Sequence, residues 1–452
     1  MPVSYMEIDL RAFRHNLQVI RSHLKNVPAL AVIKANAYGH GAVECLRAAL
    51  EEGCVGAAVA RVEEGRVVRA SGFDCPVYVL GLPLPEEMSV GVNEELILPV
   101  DDTTNLEALE TAASTLKKMV EVMLPIDTGM NRIGTHAKDL PAFLEKLKKY
   151  PHLHIHGLFT HLATADAKNK SKAYKQLAEF EEALSVMPSL ENLVISAASS
   201  AGVVDIPESW YNLVRPGIIQ YGPSPSNTML NYLDLKYMMT VVSHITHVQV
   251  VHKGETVGYG ATYTAGKDMR IATIPIGYAD GYPRALSNKG AVLIGEKRCP
   301  IVGRICMDQL MAAVDDTVMP GDEVVLIGKQ GEEEIKVDEL AELARYAGLQ
   351  LLIRCGQRGV LEIRRAALCY DFAFEAISWA LRENASPLLG YLEPEGAHLV
   401  FRFLPGGNPG QWRFSEELTT AVAALGGQIA CKDLDDAVGI CMTLPLGGES
   451  CG

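Results

Sequence analysis

Short apolar runs alternate with longer amphipathic segments through the first half of the chain. Eight runs have the near-continuous apolar character of buried parallel strands, and they read PALAVIK, CVGAAV, CPVYVLG, EELILPV, VEVMLPID, HIHGLFTH, NLVISAAS and YNLVRPGI. Several are separated by segments with helical spacing of apolar residues, such as AVECLRAALEEG, NLEALETAASTLKKM and KAYKQLAEFEEALSVM. Eight such units predict a (β/α)8 TIM-type barrel over residues 1–235. A doubly wound parallel sheet is the alternative.

The pattern changes after residue 236. The runs MTVVSHITHVQVV, RIATIPIGY, GAVLIGEKRCPIVG and DEVVLIG are rich in β-forming residues and are broken by turn sequences such as HKGE and SNKG. We expect a β domain over residues 236–365, with one helix in VDELAELARYAG. A first strand near residues 5–9 is a candidate to pair with this domain.

The segment 366–452 has a third pattern. DFAFEAISWALREN predicts an amphipathic helix, HLVFRF a strand, and SEELTTAVAALGGQI with AVGICMTLPL a helix, a turn and a strand. We expect a small α+β appendage. Its ending, ALGGQI and TLPLGG, weakly resembles the close of a histidine-kinase-type ATPase domain and could be a degenerate fragment of one. No D-x-G phosphate-lid pattern accompanies it, so we expect no ATP binding and assign the appendage no function.

Composition excludes some classes of partner. The formal net charge of −14, from 55 acidic and 41 basic residues, argues against nucleic acid. The ten cysteines are dispersed without a C-x-x-C pair, which is typical of reduced thiols in a cytosol. The opening residues MPVSYMEIDLRAFRHN lack the apolar segment of a secretory signal, and no apolar run is long enough to cross a bilayer. We expect a cytoplasmic protein with no membrane partner.

The candidate chemistry lies at the predicted strand ends, where barrels of this type build their sites. These ends carry Lys34, the segment 127–132 (DTGMNR), His161, Ser199, Ser200, Arg215 and Gly217. Arginines and backbone N–H groups bind phosphate and carboxylate, and a lysine can form an imine with a carbonyl group. The set therefore suits an anionic cofactor that carries a carbonyl, and pyridoxal 5'-phosphate fits that description.

A metal site is the competing interpretation. His152, His154 and His156 share one face of a predicted strand, with His161 beyond, as in the zinc site of a barrel hydrolase. No carboxylate-rich strand ends accompany them, and the first two precede the strand proper. We therefore expect no metal.

Ordered motifs then point to a family. AVIKANAYGHG resembles the cofactor-attachment motif of alanine racemases, and EIDLRAFRHNL resembles the usual start of that family. Further blocks follow in the family's order: DTGMNRIG, GLFTHLATAD, LVRPGIIQYG, VGYGATYTA, TIPIGYADGYPR and VGRICMDQ. The resemblance covers roughly residues 5–358. It implies an isomerase of barrel plus β domain that interconverts L-alanine and D-alanine through a pyridoxal-phosphate aldimine, supplying D-alanine for peptidoglycan.

The resemblance also implies how the cofactor is held. Lys34 would bind it as an internal aldimine, and Arg215 would face the pyridine nitrogen. The phosphate would be held by Tyr38, Ser200 and the backbone at Gly217 and Ile218. Because a guanidinium does not readily give up its proton, the ring nitrogen would stay largely unprotonated, which favours racemisation over side reactions.

Racemisation needs a base on each face of the substrate carbon. By resemblance, Lys34 serves one face, and Tyr259 from a second subunit serves the other, with hydrogen bonds running from Tyr259 to His161 and on to Arg215. The enzyme would then be an obligate head-to-tail homodimer. The substrate carboxylate would be held by Arg132 and the backbone at Met307, and Tyr278 with residues 306–308 would narrow the entrance.

Several positions depart from the family pattern. Many members carry a carbamylated lysine that orients the substrate arginine, and Pro125 stands there in this chain, so another group, such as an anion or a side-chain acceptor, must orient Arg132. Ser199 replaces a frequent asparagine, and GVLEIRR replaces the usual R-V-P-R close of the β domain. Gln357, where many members place tyrosine or proline, favours a hydroxylated substrate, so a serine or broad-specificity racemase is an alternative.

Two further alternatives are considered. A non-catalytic protein of pyridoxal-phosphate homeostasis resembles the barrel half alone, so a β domain with Tyr259 argues against it. A decarboxylase of the same two-domain fold carries an acidic and cysteine motif, which GYGATYTA fits poorly.

Overall fold

The protein is described from a computed structural model, which covers residues 3–337, 339–340, 351–355, 388–395, 398–405, 414–434 and 437–445. In its first half the strands are β1 (Tyr5–Ile8), β2 (Ala31–Val32), β3 (Ala57–Val59), β4 (Val77–Val79), β5 (Leu98–Pro99), β6 (Val120–Pro125), β7 (Leu153–Phe159) and β8 (Val194–Ser196). The helical segments are α1 (Leu10–His23), α2 (Lys34–Tyr38), α3 (Ala42–Glu51), α4 (Val62–Ala70), α5 (Pro85–Asn93), α6 (Leu106–Leu116), α7 (Leu140–Leu147), α8 (Ser171–Val186) and α9 (Ser200–Asp205). Short 3-10 turns follow at Pro207–Ser209 and Ile218–Tyr221.

The strands β2 to β8 form a closed parallel barrel. The three-stranded sheet β2-β3-β4 and the four-stranded sheet β5-β6-β7-β8 are joined by a parallel bridge between Tyr78 and Ile97. An eighth extended segment closes the ring, because Val214 bridges Ala29 and the Arg215 N–H donates to the Ala198 carbonyl at 2.9 Å. The (β/α)8 barrel is therefore confirmed, and the doubly wound sheet is excluded.

Amphipathic helices cover the outside of the barrel. In α1, for example, the Asp9 carboxylate caps the first turn by accepting from the Arg11 N–H at 2.8 Å. The face carrying Phe13, Leu17 and Ile20 is buried against the strands. A separate cluster, with Leu30, Val32, Ala58, Tyr78, Ile97, Met123, Phe159 and Leu213, joins residues from successive strands. The barrel interior is thus packed with side chains, and the open space lies at its end.

A β domain follows the barrel. Its strands are β9 (Met239–His244), β10 (His247–Val251), β11 (Thr256–Val257), β12 (Tyr263–Thr264), β13 (Met269–Ile274), β14 (Ala291–Ile294), β15 (Lys297–Pro300), β16 (Leu310–Val314), β17 (Glu323–Gln330) and β18 (Glu333–Ile335), with 3-10 turns at Tyr259–Ala261, Tyr278–Asp280 and Arg284–Leu286. One sheet has the order β1-β9-β17-β14-β15, with β18 on β17, and another has the order β10-β13-β16. The strand β1 pairs antiparallel with β9, so the start of the chain is part of this sheet.

The last sheet contains β19 (Leu351–Cys355), β20 (Leu388–Glu395), β21 (His398–Pro405), β22 (Gln428–Leu434) and β23 (Ala437–Pro445), in the order β19-β20-β21-β23-β22, with helix α10 (Glu416–Ala424). The predicted helix in SEELTTAVAAL and the strands in HLVFRF and AVGICMTLPL are present. The predicted helix DFAFEAISWALREN lies outside the described residues, as does most of the helix in VDELAELARYAG. The strand β20 was not predicted, and β19 pairs with it in parallel.

None of the helices in the described ranges is long and apolar enough to cross a membrane.

Candidate active site

A cavity of about 520 Å³ opens at the C-terminal ends of the barrel strands. The residues predicted from the sequence that line it are Lys34, Tyr38, Arg132, His161, Ser199, Ser200, Arg215, Gly217 and Ile218. They come from segments far apart in the sequence and meet here because all parallel strands of a barrel end on the same face. The fold thus gathers one amine, two guanidiniums, an imidazole and several hydroxyls around one space.

Lys34 is followed by a left-handed turn. The segment α2 contains Ala35, Asn36, Ala37 and Tyr38, whose φ values are 51–54°. Left-handed helical backbone costs roughly 1–2 kcal/mol per non-glycine residue, so the turn persists only because its surroundings hold it. The handedness of this turn was not predicted from the sequence. The turn brings Lys34 and Tyr38 to the same cavity, with the Lys34 Nζ atom 5.8 Å from the centre of the Tyr38 ring.

Tyr221 packs against this turn, a role that was not predicted from the sequence. Its ring lies 5.0 Å from that of Tyr38 and is stacked at 4.8 Å on that of His40. Its buried hydroxyl donates to the Val32 carbonyl at 2.7 Å, which fixes the ring against the strand that ends at the lysine. An aromatic residue within the block LVRPGIIQYG was visible in the sequence, but its partner across the chain was not.

One end of the cavity fits a phosphate group. The Ser200 Oγ atom accepts hydrogen bonds from the N–H of Gly217 at 2.8 Å and of Ile219 at 3.5 Å, so its own proton is free to be donated. A Cβ atom placed on Gly217 would lie 2.7 Å from the Tyr38 Oη atom and 3.5 Å from the Ser200 Oγ atom. Two hydroxyls therefore converge on a position that is open because residue 217 has no side chain. Phosphate oxygens accept hydrogen bonds from such donors.

The substitution Gly217→Ala is expected to weaken pyridoxal-phosphate binding on the order of tenfold or more, because its methyl group would displace the Tyr38 hydroxyl. Equilibrium dialysis followed by absorbance of the bound cofactor measures this. Gly266→Ala is the matched control, since a Cβ atom there would meet nothing within 4 Å. Equal cofactor affinity in both variants would show that residue 217 does not border the phosphate.

Arg215 is buried beneath the cavity and stays charged. Its guanidinium donates to the Ser196 hydroxyl and, at 2.7 Å, to the Thr160 carbonyl, and it lies 5.2 Å from the Phe159 ring centre. Burial and the nearby Arg132 lower the pKa of Arg215 to about 10. The group therefore keeps its proton at neutral pH and can donate a hydrogen bond into the cavity.

The positive charges of the cavity also lower the pKa values of His161 and Lys34. Burial lowers the pKa of His161 to about 3, with further contributions from Arg215, Arg132 and Lys34, so its imidazole is neutral at pH 7. Burial and then Arg132 lower the pKa of Lys34, and Glu64 partly opposes this. An amine with a lowered pKa is a better nucleophile at neutral pH. The cavity favours an anionic ligand and suits imine chemistry at Lys34.

Arg132 lies on the loop after β6, and its side chain is exposed. The Asp127 carboxylate shapes this loop by accepting from the N–H groups of Gly129 at 2.9 Å and Asn131 at 3.0 Å. Pro125 ends β6, and it has no polar side-chain group to offer Arg132. The conformation of this loop therefore sets the backbone position from which the Arg132 side chain extends.

Two predicted site residues do not line this cavity. Tyr259 and Met307, both in the β domain, are 69% and 54% exposed. Met307 lies beside Tyr278, which was predicted to narrow the entrance. The Tyr278 N–H donates to the Cys306 carbonyl at 3.1 Å, and the Ala279 N–H donates to the Met307 carbonyl at 3.0 Å. Gln357 lies outside the described residues. One chain therefore presents the amine in a cavity and the phenol on a separate open surface.

The histidines considered for a metal have other partners, and the prediction that His154 precedes the strand is wrong, because it lies within β7. His152 binds Glu110 at 2.6 Å, and His154 and His156 bind Glu121 at 2.9 and 3.1 Å. His156 also binds the Tyr78 hydroxyl at 2.9 Å. The described ranges contain no group of three or more histidine, cysteine, aspartate or glutamate side chains placed to hold a metal ion.

Comparison with known proteins gives matches over the barrel and the β domain. Residues 8–225 match the family described as alanine racemase, N-terminal domain, and residues 238–362 match alanine racemase, C-terminal domain. An alanine racemase of Carboxydothermus hydrogenoformans is 41% identical over 359 residues, covering 78% of this chain and 97% of that protein. Alanine racemase 1 of Bacillus subtilis is 39% identical over 342 residues, covering 75% and 87%.

Solved structures give the same result. The alanine racemase of Bacillus anthracis with bound L-Ala-P has a TM-score of 0.70 at 35% identity, covering 76% of this chain and 90% of that one. A histidine racemase of Leuconostoc mesenteroides has a TM-score of 0.70 at 30% identity, covering 76% and 94%. Neither family match extends beyond residue 362.

Proposed function

This chain belongs to the alanine racemase family and is an isomerase that interconverts L-alanine and D-alanine; we propose that it does so with pyridoxal 5'-phosphate held in the barrel cavity. The observation that carries this proposal is the meeting of Lys34 with a phosphate-shaped pocket at Tyr38, Ser200 and Gly217. A role in supplying D-alanine for peptidoglycan follows from the same reaction.

The residues of the cavity fit the cofactor on which the family depends. Pyridoxal phosphate, when bound to an amino acid, spreads negative charge away from the substrate carbon. Lys34 supplies the amine that holds the cofactor covalently. The hydroxyls of Tyr38 and Ser200, with the backbone at Gly217 and Ile218, bind the phosphate. Arg215 keeps its proton and would donate a hydrogen bond to the pyridine nitrogen, which would leave that nitrogen unprotonated and limit reactions other than racemisation.

The proton is moved by one residue on each face of the substrate carbon. The Lys34 amine would accept or donate the proton on one face. The partner subunit's Tyr259 does so on the other face, with the neutral imidazole of His161 as its hydrogen-bond partner. Arg132 and the backbone N–H of the partner subunit's Met307 would hold the substrate carboxylate. The exposure of Tyr259 and Met307 supports this arrangement, because a residue on an open surface is available to a second chain.

An obligate head-to-tail homodimer is therefore part of the proposal. Each barrel cavity would be completed by the β domain of the other chain, which gives two identical interfaces related by a twofold axis.

A chiral assay tests this function. The purified full-length protein is incubated with L-alanine and, separately, with L-serine, and the D-enantiomer is measured by chiral chromatography while the cofactor is followed by its absorbance. Formation of D-alanine faster than D-serine is expected. Faster formation of D-serine would favour the serine racemase. Visible cofactor without inversion of either amino acid would favour the non-catalytic binding protein.

The division of the chain is proposed as a barrel at 1–235, a β domain at 236–365 and an appendage at 366–452. The family matches at 8–225 and 238–362 support the first two ranges, and the buried clusters of the barrel and the β domain are separate.

A cytoplasmic location is also proposed. The thiols of Cys45 and Cys299 are buried and are not in disulfides, and dispersed reduced cysteines are typical of proteins in a reducing compartment.

A further inference from the structure

One carboxylate outside the predicted site is bound to the backbone next to Lys34. The Glu64 Oε1 atom accepts from the Ala35 N–H at 2.8 Å, and its Oε2 atom accepts from the N–H of Ala60 at 2.7 Å and of Arg61 at 3.3 Å. Glu64 lies in the first turn of α4, where a glutamate commonly reaches back to the N-terminal N–H groups. The bond to Ala35 is additional, and it joins two successive strand ends of the barrel.

The bond reaches the left-handed turn at its first residue. Within the turn the Ala37 N–H donates to the Ile33 carbonyl at 2.8 Å and the Gly39 N–H to the Ala35 carbonyl at 3.0 Å, so these groups are satisfied locally. The Ala35 N–H is satisfied instead by a side chain from another element. Because four consecutive residues have positive φ, the turn needs such an external contact to keep its conformation.

Glu64 also acts on the charge around Lys34. The charged and titratable groups that face this amine are Tyr38 of its own turn, Arg132 of the loop after β6, His161 and Asp166 of the segment after β7, and Arg215 of the eighth barrel segment. Burial, first, and Arg132, second, lower the pKa of Lys34, and Glu64 is the group that raises it. Removal of the Glu64 charge should therefore lower that pKa further.

We propose that Glu64 is a positioning residue for Lys34: its carboxylate holds the start of the left-handed turn and places a negative charge beside the amine. This inference rests on the proposed role of Lys34 as the residue that binds the cofactor. It does not require Glu64 to touch the cofactor or the substrate.

The structural part is tested by amide hydrogen exchange on the full-length protein as purified. In Glu64→Gln the single side-chain oxygen can accept hydrogen bonds from only one of the two backbone segments, either at Ala35 or at Ala60 and Arg61. In Glu64→Ala the side chain accepts from neither. We expect exchange in the segment 33–41 to rise on the order of tenfold in the variants, since a hydrogen bond to a charged acceptor is lost. Glu63→Gln is the matched control, because Glu63 is exposed and pairs with Arg66 on the helix surface. Unchanged exchange in the segment 33–41 of Glu64→Gln would overturn the proposal even if Glu64→Ala failed to fold, because a bond that the Ala35 N–H kept to a neutral amide oxygen would still be weaker than its bond to the carboxylate.

The electrostatic part is tested by the reactivity of Lys34. The full-length protein is freed of cofactor with hydroxylamine and labelled with acetic anhydride across a range of pH, and modification of Lys34 is quantified by mass spectrometry. In Glu64→Gln the midpoint of labelling should shift to lower pH, whereas in Glu63→Gln it should not. A midpoint that stays in place, or shifts upward, would contradict the role of the charge. Neither readout needs turnover, so a wild-type protein that fails to racemise alanine would reject the proposed function without deciding this inference.

Discussion

Lys34→Ala is expected to abolish both racemisation and the visible absorbance of the bound cofactor. The substitution removes the only amine that the described residues place in the cavity, and with it the covalent attachment and the base on one face of the substrate carbon. Loss of a general base alone typically costs 10²–10⁴-fold in rate, so with attachment lost as well we expect a fall of at least about 10³-fold. Chiral chromatography and an absorbance scan measure the two effects.

Two further variants make this result specific. Lys34→Arg keeps a positive charge but has no nucleophilic amine at neutral pH, so it should behave like the alanine variant. Lys172→Ala removes an exposed lysine on α8 and should leave rate and absorbance unchanged. Visible cofactor and normal turnover in Lys34→Arg would show that Lys34 supplies charge rather than an amine.

Tyr259→Phe is expected to keep the cofactor and lose racemisation. The ring remains, but the hydroxyl that would exchange a proton on the second face is gone, and the rate in both directions should fall roughly 10²–10⁴-fold. Because the residues proposed to hold the cofactor all lie in the barrel cavity and are not altered, the visible absorbance of the bound cofactor should remain. Initial rates from L-alanine and from D-alanine, measured separately, give the size of the loss.

Tyr263→Phe provides the comparison for this variant. Tyr263 is four residues further along, and its hydroxyl donates to the Met269 sulfur at 3.5 Å within the β domain. Loss of this hydroxyl should change the rate less than about twofold, because it removes only one weak hydrogen bond to a residue outside the proposed site. Normal turnover by Tyr259→Phe in both directions would remove the second base from the proposal.

The sequence predicted the barrel because its strands are buried on both sides. Such strands read as near-continuous apolar runs, and their ends are marked by the first polar residues, as at Lys34 and Arg215. Once the barrel was inferred, its geometry required these residues to meet, and they line one cavity.

Other features depend on contacts between segments that are distant in the sequence. The left-handed turn at residues 35–38 consists of residues that individually favour no such backbone except asparagine, and it is held by Tyr221 and Glu64. Neither residue differs in the sequence from an ordinary core tyrosine or a helix-capping glutamate. Similarly, no local pattern indicates that β19 pairs with β20.

The joint contribution of Lys34 and Tyr259 from separate chains is tested most directly by mixing two inactive variants. Lys34→Ala and Tyr259→Phe are unfolded together, refolded and assayed against each parent refolded alone. If each site takes Lys34 from one chain and Tyr259 from the other, half of randomly paired dimers contain one intact site of two, so about a quarter of wild-type activity should return. Activity no higher than that of the parents, in a mixture shown to contain the hybrid dimer, would mean that both residues must come from the same chain.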